Sequence, residues 1–215
     1  MWRGDGEDGF RLLRVHLELF HFISERGLRK LGHGRRCVAR LVERGGLRRL
    51  APGLYVDPGF AGDARWVLLS HRAPAGVVTL ETAAGLHGLR PLKTGLLHVA
   101  LRHGRHAPRL GEPSVQFHFL RVPWEDEDLE PCGVPGLERL SLSRFALHRL
   151  FAELAQAGRF RAAVEAGRAL LARGFTQDLL SWVLGERGVT PPVQRPLLKE
   201  LALGPPVAEA SAEAG

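Results

Sequence analysis

Arginine recurs every four residues at Arg36, Arg40 and Arg44, a spacing that aligns the three side chains along one side of a helix. A fourth arginine, Arg35, stands directly before them. The planar guanidinium group of arginine donates paired hydrogen bonds to O6 and N7 of guanine in the major groove, and it also pairs with phosphate oxygens. This pattern indicates recognition of a nucleic acid.

The same stretch has the two faces of a surface helix. Val38, Leu41 and Val42 fall within about 100° of one another on a helical wheel, which predicts that this face is buried. The opposite face carries Arg36, Ala39, Arg40 and Glu43, with Arg44 at its edge, and Arg35 and Arg36 at the N-terminal end lie nearest the base edges. The residues of this helix that we expect to contact DNA are Arg35, Arg36, Ala39, Arg40 and Arg44.

Short helix signals surround this stretch. Ser24 can cap a helix over residues 25–31, and Gly32 supplies the left-handed residue that ends it. A tight turn through His33 and Gly34 leads into the arginine helix, residues 35–44. The order helix, turn, helix predicts a DNA-binding unit, and it makes His33 a further candidate contact residue.

A hairpin follows the second helix. Gly45 and Gly46 end the helix, and residues 47–50 and 54–56 then read as two strands joined by a Pro-Gly turn. Such a hairpin is the wing of a winged helix-turn-helix. Arg48 and Arg49 lie on it, and we expect them to meet phosphates.

The positive charge of the chain is concentrated in this region. Between Glu25 and Leu50 lie nine of the 30 Lys and Arg residues and two of the 23 Asp and Glu residues, so this segment alone carries the chain's formal net charge of +7. A concentrated positive patch is typical of a protein that binds a polyanion. The alternative is that arginine is simply the usual surface residue of this protein, which has 27 Arg and three Lys. The order of the elements favours double-stranded DNA.

The 215 residues, of which 45% are hydrophobic, predict an α+β protein with an N-terminal winged helix-turn-helix, a mixed α/β domain and a helical end. We expect the winged helix over residues 1–60, the α/β domain over 61–203 and a disordered tail over 204–215. The N-terminal helix is predicted over 10–23, and strands over 96–101 and 114–122. Helices are predicted over 63–72, 141–157, 160–173, 176–185 and 192–201. A further helix, through His87, is predicted to begin at a Thr79 cap and to end at Gly88.

Composition points to the cytoplasm. No apolar run approaches the roughly 20 residues of a membrane span, and the first nine residues are too acidic and polar for a signal peptide. We therefore expect a soluble protein with no membrane partner. Cys37 and Cys132 make no disulfide framework and are predicted to be unpaired thiols, with redox sensing as the alternative.

Two further clusters contain residue types that can bind metal ions, but each has a simpler explanation. His103 and His106, with His98 and His118 nearby in sequence, could form a metal cluster, but neighbouring arginines would repel a cation. The acidic residues 125–128 and Glu130 could hold Mg²⁺, but consecutive carboxylates on one loop do not converge on a single ion. We therefore expect no metal, no cofactor and no enzymatic activity.

One family has a similar pattern of motifs between about residues 20 and 90. The residues that carry the similarity are Leu28–Gly32, Arg35–Arg44, Gly46–Leu50, Gly53–Tyr55 and Thr82–Leu89. In these the chain resembles the AbiEi-type antitoxins of abortive-infection, type IV toxin-antitoxin systems. His87 and Gly88 match the family signature, and we interpret His87 as a helix-end histidine that the helix dipole favours.

The resemblance implies a function. It implies an N-terminal winged helix that represses its own operon by binding promoter DNA, where we expect repeats. It also implies a C-terminal α/β domain that counters a nucleotidyltransferase toxin without an obligatory stable complex. The alternative is a solitary winged helix regulator that has no toxin partner, and a neighbouring nucleotidyltransferase gene would distinguish the two.

Overall fold

A computed structural model of the chain describes residues 6–92, 95–110, 114–140 and 142–203. Nine α-helices and two β-sheets lie within these residues, so the predicted α+β class is confirmed. The described residues of Met1–Gly76, Pro108–Glu112 and Cys132–Leu142 form one compact unit. Those of Val77–Ala107, Pro113–Pro131 and Ser143–Gly215 form a second. The predicted tail, 204–215, lies outside the described residues.

The first unit contains four helices and a small antiparallel sheet. Its elements in chain order are α1 (Gly6–Phe20), β1 (Phe22–Ser24), α2 (Glu25–Lys30), α3 (Arg35–Glu43), β2 (Arg48–Ala51), β3 (Leu54–Val56) and α4 (Ala64–Arg72). The strand order is β1-β3-β2, with Phe22 opposite Val56 and Arg49 opposite Tyr55. The central strand of the sheet is therefore the last one in sequence.

Local signals in the sequence set the ends of α2 and α3. The Ser24 hydroxyl accepts a hydrogen bond from the Gly27 amide at 3.1 Å, which caps α2. Gly32 at φ 85° follows α2 and Gly45 at φ 71° follows α3, and both conformations are costly for a residue with a Cβ atom. The predicted cap and both predicted stops are confirmed.

A compact apolar core holds these elements together. Leu28 of α2, Val38 of α3 and Leu47 before β2 are at most 5% exposed. They pack with Leu13 and Leu17 of α1. Because α1, α2 and α3 all contribute to this core, the outer face of α3 is held in a fixed direction relative to the sheet.

The N-terminal helix is shorter than predicted at its C-terminal end. It ends at Phe20, and His21 takes a left-handed conformation at φ 61°. Residues 22–24 then form β1, so the prediction of a helix as far as residue 23 is wrong at its last residues. The reason is pairing with β3, because Phe22 and Ser24 lie opposite Val56 and Leu54.

The second unit combines a five-stranded sheet with five helices. Its elements are β4 (Val77–Val78), α5 (Leu80–Leu86), β5 (Leu97–Arg102), β6 (Val115–Leu120), β7 (Leu129–Pro131), β8 (Ser143–Phe145), α6 (Leu147–Gln156), α7 (Phe160–Ala172), α8 (Gln177–Glu186) and α9 (Pro191–Ala202). The strand order is β6-β5-β4-β8-β7. The pairs β5-β6 and β4-β8 are parallel, and the other two pairs are antiparallel.

The helix predicted over 141–157 is wrong at its start. Residue 141 lies outside the described residues, and residues 143–145 form β8 between β4 and β7. The helix itself, α6, begins at Leu147. Partners distant in sequence impose the extended conformation, since β8 pairs with Val77 and Val78 on one side.

A buried ionic network stabilises the second unit. Asp128 and Arg149 are both fully buried, with Arg149 Nη1 3.7 Å from Asp128 Oδ2. Arg149 Nη2 donates to Glu153 at 2.6 Å, and Arg187 Nη2 reaches Asp128 Oδ1 at 2.6 Å. Buried carboxylates need such partners, since an unpaired buried charge is strongly unfavourable.

We expect Arg149→Ala to lower the free energy of unfolding by about 3–5 kcal/mol, because Asp128 and Glu153 would stay buried after losing a positively charged partner. Urea denaturation followed by circular dichroism measures the change. The control is Arg161→Ala on the exposed side of α7, which should change stability by less than about 0.5 kcal/mol. Equal stability of the two variants would contradict the role given to Arg149.

Candidate nucleic-acid interface

The outer face of α3 is cationic and accessible. Arg36, Ala39 and Arg40 are exposed, as are Arg35 at the first turn and Arg44 at the C-cap. The opposite face is anchored in the core of the first unit through buried Val38 and half-buried Leu41 and Val42. The division into a buried and a cationic face that the spacing predicts is therefore present.

The hairpin adds two more exposed arginines. Arg48 and Arg49 stand in β2 before an irregularity in the pairing with β3. Arg48 Nη2 donates to the Phe60 carbonyl oxygen at 3.0 Å, which orients its guanidinium group. Arg49 lies opposite Tyr55 of β3. A bulged hairpin twists locally, which changes the direction of the side chains that it carries.

A groove of about 420 Å³ separates α3 from the hairpin. Arg35, Ala39 and Arg49 line it, together with Arg29 of α2 and Tyr55 of β3. Two carboxylates, Glu25 and Glu43, also line this groove. Two of the predicted contacts on the helix, Arg35 and Ala39, thus share one concave surface with Arg49 of the hairpin, and its three guanidinium groups outnumber the two carboxylates.

The ion pair in this groove is weak. Arg35 Nε lies 3.5 Å from Glu25 Oε1, and the Arg35 side chain is 88% exposed. Exposed pairs of this kind contribute about 0–1 kcal/mol because water screens the attraction. Arg35 can therefore exchange Glu25 for a phosphate at little cost.

His33 is the one predicted contact residue that is buried. It is 4% exposed, its Nε2 donates to the Gly9 carbonyl oxygen at 3.1 Å, and its Nδ1 lies 3.5 Å from Cys37 Sγ. Its ring packs against Phe10 with 4.8 Å between centroids. These contacts fasten the turn before α3 to α1, and the small exposed part of His33 lies in the lining of the groove.

Six residues of the groove are not among the predicted contacts. Arg29 and Glu25 come from α2, Tyr55 from β3 and Glu43 from α3, and the apolar side chains of Val38 and Val42 complete the lining. Arg29 belongs to the basic segment and could have been included on charge alone. The two carboxylates give no such signal, since only the fold brings Glu25 beside Arg35.

The histidines and carboxylates considered as metal ligands are mostly apart. Within the described residues no three His, Cys, Asp or Glu side chains form a group that could hold a metal ion. His103 and His106 are exposed, whereas His98 Nδ1 and His118 Nε2 are 2.9 Å apart. In the acidic run, Asp128 is buried in the ionic network of the second unit.

His87 does not have the role that we predicted from the helix dipole. Burial lowers the pKa of its ring, and nearby Arg144 lowers it further, against the opposing effect of a hydrogen bond to Phe145. The neutral ring therefore predominates at pH 7, and its Nε2 donates to the Phe145 carbonyl oxygen at 2.8 Å. His87 links α5 to the end of β8, while Gly88 at φ 73° ends α5 as predicted.

Neither cysteine forms a disulfide, in agreement with the prediction from cysteine number.

Among the helices in the described ranges, none has the length and apolar character needed to cross a bilayer.

Comparison with known proteins shows a similarity in fold to a solved structure. No protein-family model matches the chain, and no curated protein matches it. Among solved structures, the chain is similar to the crystal structure of the RV2827C protein from Mycobacterium tuberculosis, with a TM-score of 0.53 and 18% sequence identity. The similarity covers 93% of this chain and 83% of that protein. It concerns the fold.

Proposed function

We propose that this protein is a sequence-specific repressor that binds double-stranded DNA through a winged helix-turn-helix. In this proposal α3 enters the major groove and the β2-β3 hairpin lies along the backbone. The observation that carries it is the row of exposed arginines on α3, which begins at Arg35 in the same groove as Arg49 of the hairpin. No catalytic step is assigned to the chain.

The order of elements in the first unit supports this assignment. A strand, two helices separated by a turn, and a two-stranded hairpin that pairs back onto the first strand follow one another over residues 22–56. This order is the one that we expect of a winged helix, and it supports the proposal. Arg35 and Arg36 lie at the N-terminal end of α3, the end whose residues contact base edges in helix-turn-helix proteins.

Two levels of function are combined in the proposal. The first is repression of the protein's own promoter in the cytoplasm, with DNA as the partner and no role for a membrane. The second is antitoxin activity against a nucleotidyltransferase toxin, which rests on the resemblance to AbiEi-type antitoxins. The alternative is a solitary winged helix regulator, which would keep the first level without the second.

Single substitutions separate base reading from backbone contact. We expect Arg36→Ala or Arg40→Ala to weaken operator binding by about 1–3 kcal/mol and to relax base preference, because arginine on α3 would lose paired hydrogen bonds to guanine. Arg49→Ala should weaken all duplexes alike, since a phosphate contact carries no sequence information. Fluorescence anisotropy with a randomised duplex library measures both effects.

The matched control for these variants is Arg195→Ala on α9, an exposed arginine outside the first unit that should leave affinity and preference unchanged. Full sequence preference after combined Arg36→Ala and Arg40→Ala would contradict the assignment of α3 as the reading helix.

A further inference from the structure

The second unit contains a cavity of about 210 Å³ at the point where β4 leads into α5. Its apolar walls include Leu80 and Leu120, and its polar lining includes Thr79 and His118. None of these residues belongs to the proposed DNA interface. The cavity is smaller than the 300–1,000 Å³ that is typical of sites for drug-sized ligands, so its occupant has on the order of ten non-hydrogen atoms.

The hydroxyl group of Thr79 is buried in this lining without a partner. Thr79 is 1% exposed, and its Oγ1 has no hydrogen bond to any of the described residues. Its backbone is satisfied, because its N–H donates to the His98 carbonyl oxygen and its carbonyl oxygen accepts from Ala83. A threonine at an N-cap normally satisfies its hydroxyl on the helix amides, but here it makes no such bond. A buried polar group in this state costs stability unless something binds it.

The next residue is held in an unusual backbone conformation. Leu80 has φ 47°, the left-handed region that a residue with a Cβ atom rarely adopts outside glycine-rich turns. Such outliers cluster at binding and catalytic sites, where the surrounding structure maintains them. The strain and the unpartnered hydroxyl therefore occur at adjacent residues of one cavity.

Two histidines connect a buried carboxylate oxygen to the same cavity. Glu81 Oε2 lies 3.5 Å from His98 Nε2 but accepts no hydrogen bond from the described residues, whereas His98 Nδ1 and His118 Nε2 are hydrogen-bonded at 2.9 Å. Burial lowers the pKa of both histidines, so each ring carries one proton at pH 7. The Glu81 carboxylate favours the His98 proton on Nε2, which makes His98 Nδ1 an acceptor for His118 Nε2–H. Nδ1 of His118, the histidine that lines the cavity, is then left as an acceptor.

Charge and polarity restrict the occupant further. The one carboxylate in the lining, Glu153, is paired with Arg149 at 2.6 Å, so the lining offers no uncompensated charge to an ion. His118 Nδ1 can accept a hydrogen bond from a donor, and the Thr79 hydroxyl can donate or accept. Apolar walls favour a body without charge.

We propose that this cavity is a binding site for a small uncharged heterocycle with N–H donors, the chemistry of a free nucleobase, held by the Thr79 hydroxyl and His118 Nδ1. The site is independent of the proposed DNA interface, so either proposal can fail without the other.

Adenine and cytosine are the probes for this site, titrated into the full chain while ¹⁵N signals of the histidine rings are recorded by NMR. At least one of them should shift His118 saturably and leave exposed His103 unchanged. Thr79→Val should weaken that binding about tenfold or more and raise the melting temperature of the free protein, because it removes an unpartnered buried hydroxyl. Thr79→Ser keeps the hydroxyl and should bind like the native chain.

Thr190→Val is the matched control, since Thr190 is also an N-cap without a side-chain hydrogen bond but is exposed at the start of α9. It should change neither binding nor melting temperature. The proposal is overturned if neither base shifts His118 at millimolar concentration. It is also overturned if toluene, which has the apolar body without donors, shifts His118 as strongly, or if a folded Thr79→Val chain binds as well as the native one.

Discussion

The affinity of the full chain for duplex DNA should fall about 10²–10³-fold when monovalent salt rises from 50 to 200 mM, if four to six cations meet phosphates. Each contact between arginine and a phosphate releases condensed counterions, so the logarithm of the affinity declines linearly with the logarithm of salt concentration. The groove, the outer face of α3 and the hairpin together supply more exposed arginines than this number requires. They are Arg29, Arg35, Arg36, Arg40, Arg44, Arg48 and Arg49.

Anisotropy titrations at five salt concentrations measure this slope. Arg48→Ala combined with Arg49→Ala should make the slope shallower by about 2, because two phosphate contacts are lost. The control, Arg195→Ala, should leave it unchanged. Binding that is equally strong at both ends of the salt range would show that the basic segment is only a solvated surface.

The second large effect separates repression from antitoxin activity in cells. A full chain carrying both Arg36→Ala and Arg40→Ala should lose repression of a reporter placed behind its own promoter, because the reading face of α3 is removed. The same chain, expressed from an unrelated promoter, should still rescue cells that express the cognate nucleotidyltransferase toxin. The physical reason is that the variant leaves the second unit, to which we assign the antitoxin role, unaltered.

Colony counts with and without toxin induction measure the rescue, and the native chain sets the full value. If growth is rescued only when the α3 arginines are intact, protection works through repression alone. That outcome would favour the alternative of a regulator without a separate antitoxin activity.

Features of the first unit that depend on local sequence were predictable. The Ser24 cap, the glycine stops after α2 and α3, and the buried position of Val38 each follow from residues within one or two helical turns. The short strands were not predictable in this way. β1, β4 and β8 have two or three residues each, and they are extended because of partners far along the chain.

Some features of the candidate interface were also predictable from local sequence, and others were not. Helical spacing alone predicted an exposed cationic face on α3, and the hairpin signal predicted Arg48 and Arg49 beside it. Spacing did not reveal that His33 turns inward, because that depends on the docking of α1 over the turn, with Gly9 as the partner. Nor did it reveal Glu25 in the groove, since this contact joins α2 to the start of α3.

A comparison of the affinities for two duplexes is the most direct test of sequence-specific DNA binding. The full chain is titrated, at about 150 mM salt, against a labelled duplex from upstream of its own start codon and against a shuffled duplex of the same composition and length. We expect the duplex from upstream of the start codon to bind about 10³-fold or more tightly than the shuffled duplex. Affinities for the two duplexes within about threefold of each other would contradict sequence-specific binding. A threefold difference is smaller than the discrimination that one correct contact between arginine and guanine provides.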